Sequence, residues 1–298
     1  MTGSFQRYLR AKQTVDDRAL DRRLLETLRE QLAARAADTD GPLRVLEIGA
    51  GIGTMLARFV EWDVLPAGDI RYTAVDIQAE NLARLPDYLR DWAAERQLSV
   101  DDSPLVLEGG TRRIRIETVQ AEAVAHAETA DDEYDLLIGA ALLDILEREQ
   151  LSTLLEPLAP GGLYYFPITF DGATRFQPSH PADRAIEGHY HDHMDAKRGG
   201  DSRAGGDVLA RLQRLDGATL SAVAGSDWVV RPVDGSYPAD EAYFLRYILD
   251  TIEDAVGEMT GSDSEELDAW LARRREQVTA AELLYHTHQL DFLGHVDP

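Results

Sequence analysis

The sequence predicts an α/β fold, in which helices cover both faces of a mostly parallel, doubly wound sheet. Two observations indicate it. Short apolar stretches alternate with amphipathic helical stretches between residues 42 and 170, and the first apolar stretch runs into a glycine-rich turn that opens a helix. No internal repeat interrupts this order. A chain of 298 residues is long enough to bury a large core.

The first predicted element is an amphipathic helix over residues 14–36. Thr14 and Asp17 stand at capping-box spacing, and a stripe of leucines follows at helical intervals: Leu20, Leu24, Leu28 and Leu32. Strands are then predicted over 42–53 (running into the glycine turn), 71–77, 105–119 (as a hairpin around Gly109 and Gly110), 133–143 and 163–170. The helices between them are predicted over 54–65, 80–97 and about 144–158.

The later part of the chain departs from simple alternation. Residues 171–206 are predicted to form a long polar loop, followed by a helix over 207–216 and a strand over 226–232. Two amphipathic helices, 239–259 and 264–278, precede a final strand over 283–296. Long insertions of this kind commonly serve as lids.

Composition narrows the classes of function. The absence of cysteine excludes disulfides, thiolate metal sites and cysteine nucleophiles. A net charge of −24 disfavours nucleic acid as a partner. No apolar stretch reaches the roughly 20 residues that span a bilayer, and the first residues lack the pattern of a signal peptide, so we expect no membrane partner and a cytoplasmic location.

The motif "VLEIGAGIGT" carries the chemistry. Gly49, Gly51 and Gly53 follow a strand and begin a helix, so backbone can approach a nucleotide-like ligand closely. The spacing G-x-G-x-G differs from the G-x-G-x-x-G of dinucleotide sites, and Glu47 would repel a pyrophosphate. The next strand ends at Asp76, whose carboxylate can accept both ribose hydroxyls. Together these residues predict a site for an adenosine joined to an amino acid.

"LEIGAGIG" and "AVDI" resemble the first two motifs of the class I S-adenosylmethionine-dependent methyltransferases, and the resemblance covers roughly residues 43–170. "VQAEAV" (119–124), "YDLLIGAALLDIL" and "LEPLAPGGLYYF" are similar to their later segments. The resemblance implies a Rossmann-like, seven-stranded sheet with helical lid insertions, and S-adenosylmethionine as cofactor. It divides the chain into an N-terminal helical cap (1–40) and a methyltransferase domain (41–298) with lid segments 171–206 and 233–280.

The resemblance also implies a set of cofactor residues. Glu122 stands where an acidic residue meets the adenine amino group, and Gly139 and Ala140 should line the methionine end. Arg18 could reach the cofactor carboxylate if the first helix caps the site, although a solvated arginine fits the sequence equally well. The predicted cofactor-binding residues are Glu47, Gly49, Ala50, Gly51, Gly53, Asp76, Ile77, Ala121, Glu122, Gly139, Ala140 and Arg18.

The predicted activity is methyl transfer to a small-molecule acceptor. No D/N-P-P-Y/F follows the fourth strand, which disfavours methylation of nucleic acid bases. Two alternatives stay open: a regulatory module that binds the cofactor without chemistry, and an aminopropyltransferase or other nucleoside-dependent transferase on the same scaffold.

The stretch "EGHYHDHMDAKRGGDSRAG" (187–205) could hold a metal, a catalytic base or only a polar loop. Its spacing matches no metal motif known to us, and methyl transfer from a sulfonium needs no Lewis acid, so we expect no metal. We predict His191 and His193 as catalytic bases. The residues predicted to contact substrate are His189, Asp192, Asp195 and Arg203. If the segment is helical, His189 and His193 share a face and His191 points elsewhere.

The surplus of carboxylates predicts a dependence of stability on salt. Lys12 and Lys197 are the only lysines, a composition typical of salt-adapted proteins and also of GC-rich genomes. If the charge is a salt adaptation, screening the self-repulsion should raise the melting temperature between about 0.05 and about 2 M KCl, because the Debye length falls from over ~10 Å to under ~3 Å. Thermal unfolding at fixed pH measures this. A flat melting temperature would favour genome bias.

Overall fold

A ten-stranded mixed sheet organises the chain in the computed structural model, which describes residues 4–130, 133–260 and 265–298. The strands are β1 (Leu43–Ile48), β2 (Gly68–Asp76), β3 (Ser99–Asp102), β4 (Leu105–Gly109), β5 (Arg112–Gln120), β6 (Tyr134–Ile138), β7 (Leu158–Gln177), β8 (Ala218–Gly225), β9 (Trp228–Val230) and β10 (Leu284–Val296). The α-helices are α1 (Ser4–Ala19), α2 (Arg22–Asp38), α3 (Thr54–Glu61), α4 (Ala79–Ala94), α5 (Ala123–Thr129), α6 (Leu151–Leu155), α7 (Asp183–Ala196), α8 (Ala204–Leu212), α9 (Glu241–Thr260) and α10 (Glu265–Thr279).

The strand order confirms the predicted fold class. Seven strands lie in the order β5-β2-β1-β6-β7-β10-β8, and the hairpin strands β3 and β4 extend the sheet beyond β5. The pairs β1–β2, β1–β6, β2–β5 and β6–β7 are parallel, whereas β10 is antiparallel to both β7 and β8. The sheet is therefore doubly wound and Rossmann-like, with its strand order reversing at β1.

The predicted helix over 14–36 is wrong in its bounds, because two helices occupy this region. The chain turns at Leu20, and Asp21 caps α2 by accepting hydrogen bonds from the amides of Arg23 and Leu24. Thr14 and Asp17 lie inside α1 and form no capping box there. Because the chain turns here, α1 does not continue in line with α2 and its leucine stripe, and it crosses the end of the sheet instead. Residues 1–3 of the predicted cap lie outside the described residues.

Two other predictions need correction, and two strands were missed. Residues 171–206 are not a polar loop, because β7 continues to Gln177 and α7 follows. The predicted helix 144–158 is two short 3₁₀ turns (Leu143–Ile145 and Arg148–Gln150) followed by the brief α6. Strands β3 and β8 were not predicted, since their residues are too polar or too small to show a buried strand. Within the described ranges, no helix is long and apolar enough to cross a membrane.

A buried arginine joins the lid helices α7 and α10. The fully buried guanidinium of Arg274 contacts Asp183 at 2.5 Å and donates at 2.7 Å to the carbonyl of Pro178. It also donates to the side chain of Gln277, and the indole of Trp270 donates to the same Asp183 oxygen at 2.8 Å. Because most of these groups are withdrawn from water, each depends on the others for its hydrogen bonds.

Removing this arginine should be costly. Arg274→Ala leaves Asp183 without its cationic partner and the Pro178 carbonyl without its donor, so we expect a loss of ~3–5 kcal/mol in the free energy of unfolding. Urea denaturation measures it. The neighbouring Arg273 is half exposed and pairs only with Glu276 on its own helix, so Arg273→Ala should change stability by less than ~0.5 kcal/mol. Equal effects of the two substitutions would refute the special role of Arg274.

Candidate functional site

A cleft of about 680 Å³ lies at the carboxyl ends of the parallel strands. Residues just after β1, β2, β5 and β6 line it (Gly49, Ile77, Ala121 and Ala140), which is where ligands bind in doubly wound sheets. Nine of the twelve predicted cofactor residues belong to its wall: Glu47, Gly49, Ala50, Gly51, Asp76, Ile77, Ala121, Glu122 and Ala140. The remaining three are Gly53, Gly139 and Arg18, which do not line it.

The glycine turn has the backbone that the motif predicts. Gly51 has φ of 57° and faces the cap, where an added Cβ would stand 3.1 Å from Leu9. Gly53 has φ of 88° and begins α3, and a Cβ there would come within 3.0 Å of Leu85. Gly51 therefore keeps the cleft open, whereas Gly53 serves the packing of the helix behind it.

Asp76 holds the turn to the end of β2. One carboxylate oxygen accepts the Gly51 amide at 2.8 Å, and the other accepts the amide of Gln78 at 2.8 Å and the side chain of Asn81 at 3.1 Å. The side chain is buried and lines the cleft. A carboxylate has about four acceptor positions, so three protein donors leave capacity for a ligand hydroxyl.

Glu47 stands at the floor of the cleft on β1. Its carboxyl accepts the phenol hydroxyl of Tyr72 at 2.6 Å and is almost completely buried. Burial raises the pKa of Glu47 to about 8, a change that the hydrogen bond from Tyr72 and the charge of Arg58 only partly offset. The side chain is therefore mostly protonated near neutrality and would ionise beside a cation.

The segments after β2 and β5 form one side of the cleft. Ile77 keeps 64% of its surface exposed although it lies in the cleft wall, so a ligand ring could cover it. Glu122 caps α5 through one oxygen, which accepts the Ala125 amide at 2.8 Å.

Gly139, which follows β6, is a packing residue and not part of the cleft wall, because a Cβ there would lie 2.7 Å from Leu142 and 3.0 Å from Phe166.

The cap helix α1 contributes charged side chains that sequence reasoning missed. Lys12 and Asp16 line the cleft and pair at 2.7 Å, and the indole of Trp228 donates to the other Asp16 oxygen at 3.0 Å. Arg58 of α3 also lines the cleft and donates to Asp17 at 2.6 Å. Lys12, rather than Arg18, is thus the cation that α1 presents to the cleft.

Arg18 of α1 forms an ion pair with α9. Its guanidinium contacts both oxygens of the buried Glu241, at 2.6 and 2.9 Å, and Thr14 donates to the same carboxylate at 2.7 Å. At the other end of α1, the ring of Tyr8 stacks on Tyr247 with 4.2 Å between centroids. These contacts close the cleft from above.

His191 and His193 point in different directions from helix α7. His193 is buried and contacts Glu258 of α9 at 2.7 Å. His191 hydrogen-bonds at 3.0 Å to Thr174, which does line the cleft, and burial lowers the pKa of this imidazole. Neither ring is part of the cleft wall, so the prediction that they act directly as bases is not favoured by this geometry. The residues of α7 that do line the cleft are Tyr190 and Met194.

The other predicted substrate residues also lie away from the cleft. His189 is half-buried and Asp192 is exposed on α7. Asp195 accepts the amide and hydroxyl of Ser202, at 2.7 and 3.1 Å, and so fixes the chain that follows α7. Arg203 is exposed at the start of α8. Among the residues described, no group of three or more metal-ligating side chains is arranged to hold an ion.

A strained residue marks the edge of the cleft. Ile168 of β7 has φ of 61°, an uncommon conformation for a β-branched residue, and it lines the cleft. The buried carboxyl of Asp291 holds it there by accepting its amide at 2.9 Å. Burial raises the pKa of Asp291 to about 6. Backbone strain that the surroundings enforce is often associated with binding sites.

Comparisons with known proteins bear on the fold. No protein-family model matches the chain, and no curated protein matches its sequence. A methyltransferase from Geobacter sulfurreducens, solved with S-adenosyl-L-homocysteine, matches with 14% identity over 93% of this chain and 92% of its own, at a TM-score of 0.46. The cyclase SpnF matches with 14% identity over 93% and 81%, at 0.44. The mycolic acid cyclopropane synthase CmaA1 matches with 10% identity over 91% and 88%, at 0.41.

These likenesses are too distant to assign an activity. The strand order is nevertheless that of the Rossmann-like class I methyltransferase fold. In that order β10, the last strand of the seven along the chain, lies between β7 and β8 and is antiparallel to both.

The buried carboxyl of Glu47 should make stability depend on pH. Its pKa rises from 4.5 to about 8 on folding, so the folded state favours the protonated form. The wild type should therefore lose unfolding free energy relative to Glu47→Gln as pH rises from about 5 to about 8, and the difference should level off above that. Urea unfolding across this range measures it. Tyr72→Phe keeps the titrating carboxyl and should retain the dependence, whereas parallel curves for the wild type and Glu47→Gln would contradict the assignment.

Proposed function

We propose that this protein transfers the methyl group of S-adenosylmethionine to a small-molecule acceptor. The observation that carries the proposal is the convergence of Glu47, the glycine turn, Asp76 and Glu122 on one cleft at the carboxyl edge of the sheet. These residues come from three separate strand ends, so a generic strand–turn–helix would not bring them together.

The charge of the cleft suits this cofactor. Five carboxyl groups line it (Asp16, Glu47, Asp76, Glu122 and Asp144), against two cations, Lys12 and Arg58. When bound, S-adenosylmethionine supplies an electrophilic methyl group on a positively charged sulfur, and it also carries an ammonium and a carboxylate. An electronegative cleft whose described wall holds one lysine, Lys12, matches that distribution.

Each part of the cofactor has candidate partners in this chain. Asp76 would accept a ribose hydroxyl with its spare lone pair, and Ile77 and Glu122 would meet the base. Glu47 would ionise beside the ammonium. Lys12 would meet the carboxylate, the role that was predicted for Arg18.

The cap suits a small acceptor. Helices α1, α7 and α9 roof the cleft, and the stacked rings of Tyr8 and Tyr247 shield it from water. Excluding water strengthens the electrostatic interactions inside and orients the acceptor for attack. We assign no direct proton transfer to His191 or His193, and propose that His191 instead positions Thr174 in the wall.

Two measurements test this proposal in sequence. Calorimetric titration with S-adenosylmethionine and S-adenosylhomocysteine should show binding of both, and failure of both to bind would remove the proposal. Transfer of labelled methyl to a metabolite extract then separates an enzyme from a regulatory module that only binds. If the labelled methyl stays on the cofactor-derived product and the aminopropyl group is transferred instead, the protein is an aminopropyltransferase.

Asp76 should govern affinity for the nucleoside. Asp76→Ala removes the ribose acceptor, so cofactor binding should weaken by ~1–3 kcal/mol, the usual cost of an unpaired buried polar group. Titration calorimetry measures this, and circular dichroism checks the fold, since Asp76 also holds Gly51. Asp69 lies exposed at the opposite end of the same strand, and Asp69→Ala should bind normally. Unchanged affinity in a folded Asp76→Ala would count against the site.

A further inference from the structure

The cleft extends beyond the cofactor residues into a second region, which we call the acceptor half. Its wall comes from α1, α7, α9, β7 and β10, and aromatic rings dominate it: Phe5, Tyr8, Phe170, Tyr190, Tyr247 and Tyr285. Flat rings of this kind pack best against another flat, apolar ring. The inference that follows rests on the proposed function, because it identifies what this half binds.

Several phenols in the acceptor half have no hydrogen-bond partner among the described residues. Three of them are Tyr8 on α1, Tyr190 on α7 and Tyr285 on β10. Burial raises the pKa of Tyr190 to about 12 and that of Tyr8 and Tyr285 well above 10, so all three hydroxyls stay protonated. They are therefore available as hydrogen-bond donors to a ligand.

Buried acceptor atoms in the same half also lack partners. Thr287 and Gln289 are 1% and 2% exposed, they stand two residues apart on β10, and both line the cleft. Thr287 Oγ1 and Gln289 Oε1 make no hydrogen bond within the described part of the chain. Polar atoms buried in this way usually acquire a partner, which here would be the ligand.

Asp144 supplies the charged member of this set. It lies in the segment after β6, lines the cleft, and its Oδ1 is buried with no hydrogen-bond partner among the described residues. Electrostatic interactions link it to Tyr8, Tyr190 and Lys12, so it lies near both α1 and α7. A carboxylate oxygen that is buried without a partner calls for a hydrogen-bond donor, which a ligand would supply.

The cations of the cleft are already paired, which disfavours an anionic acceptor. Lys12 and Arg58 are the basic side chains that line it in the described ranges, and each already pairs with a carboxylate of α1. A substrate carboxylate would find no free cation and would stand beside Asp144. Repulsion and lost hydration would both oppose its binding.

We propose that the acceptor is an uncharged aromatic molecule that is methylated on a hydroxyl group, and that Asp144 receives the proton of that hydroxyl. The hydroxyl oxygen attacks the methyl carbon, the carbon–sulfur bond breaks, and its electron pair stays on sulfur. The hydroxyl proton passes to the Asp144 carboxylate. The products are a methyl ether, a neutral thioether and a protonated Asp144, so charge and atoms balance.

A matched set of probes tests the class of acceptor. Protein saturated with S-adenosylhomocysteine is titrated with 4-ethylphenol, 4-ethylanisole and 4-ethylbenzoate, which share one ring but differ in the donor and the charge. The phenol should bind about tenfold or more tighter than the anisole, which lacks the proton, and the benzoate should bind least. Equal binding of phenol and anisole, preference for benzoate, or no binding of any probe would overturn the proposal.

The order of these titrations separates the two proposals. Binding of S-adenosylhomocysteine itself tests the cofactor site, so its success followed by failure of the probes rejects only the acceptor class.

A substitution tests the role of Asp144. Asp144→Asn should leave S-adenosylhomocysteine affinity intact, weaken binding of 4-ethylphenol about tenfold and lower methyl transfer to it by ~10² or more. Burial raises the pKa of Asp144 to about 6, so phenol binding by the wild type should fall as pH drops through about 6, while the variant should show no such inflection.

The charged and titratable groups that face Asp144 are Lys12 and Tyr8 of α1, Tyr190 of α7 and Asp201. Asp201→Asn is the matched control, because Asp201 pairs with Arg148 and does not line the cleft. It should keep both the phenol affinity and the inflection. Loss of the pH inflection in Asp201→Asn would refute the role of Asp144. So would phenol affinity and pH dependence in Asp144→Asn that equal those of the wild type.

Discussion

The hydrogen bond from the Gly51 amide to Asp76 is the contact on which the cleft depends. It joins the turn after β1 to the end of β2, at the place where the order of strands reverses. Because Asp76 also holds Gln78 and Asn81, one carboxylate fixes the entry into both α3 and α4. The same side chain thus shapes the backbone of the site and offers an acceptor within it.

Electrostatic pairing explains why the cap can be polar and still closed. Helix α1 carries Lys12, Asp16, Asp17 and Arg18 within about two turns, and each has a partner of opposite charge within α1, α3 or α9. Paired charges can be withdrawn from water at lower cost than isolated ones. In the proposed acceptor half, the uncharged phenols and Asp144 would then be the groups that meet the ligand.

The fold and the wall of the proposed cofactor site were predictable because both follow from local pattern. Alternating strands and helices fix a parallel sheet, and residues at or just after the carboxyl ends of the strands in such a sheet must meet at one edge. Glu47 and Asp76 lie at the ends of β1 and β2, and Glu122 follows β5. Asp144 lies in the segment that follows β6, and this position was the signal that could have identified it.

The acceptor half was not predictable, because it depends on how distant elements dock. The stripe over 14–36 does not show that the chain breaks at Leu20, and only that break brings Lys12 over the sheet. The alternation of β10 predicts a strand but not which of its faces meets the cleft. In α7, side chains two positions apart differ by about 200° around the helix axis, so His191 lies on a different face from His189 and His193.

The placement of β10 has a consequence for synthesis of the protein. This strand pairs with β7, β8 and β9, and it supplies Asp291, Thr287 and Gln289 to the region around the cleft. On the ribosome, the 20-residue β7 must wait with an open edge until residues 284–296 have emerged, and open edges invite association with other chains. The residues that complete the cleft and protect that edge therefore come from the same late-synthesised segment, so a nascent chain with an open β7 edge also lacks part of its proposed binding site.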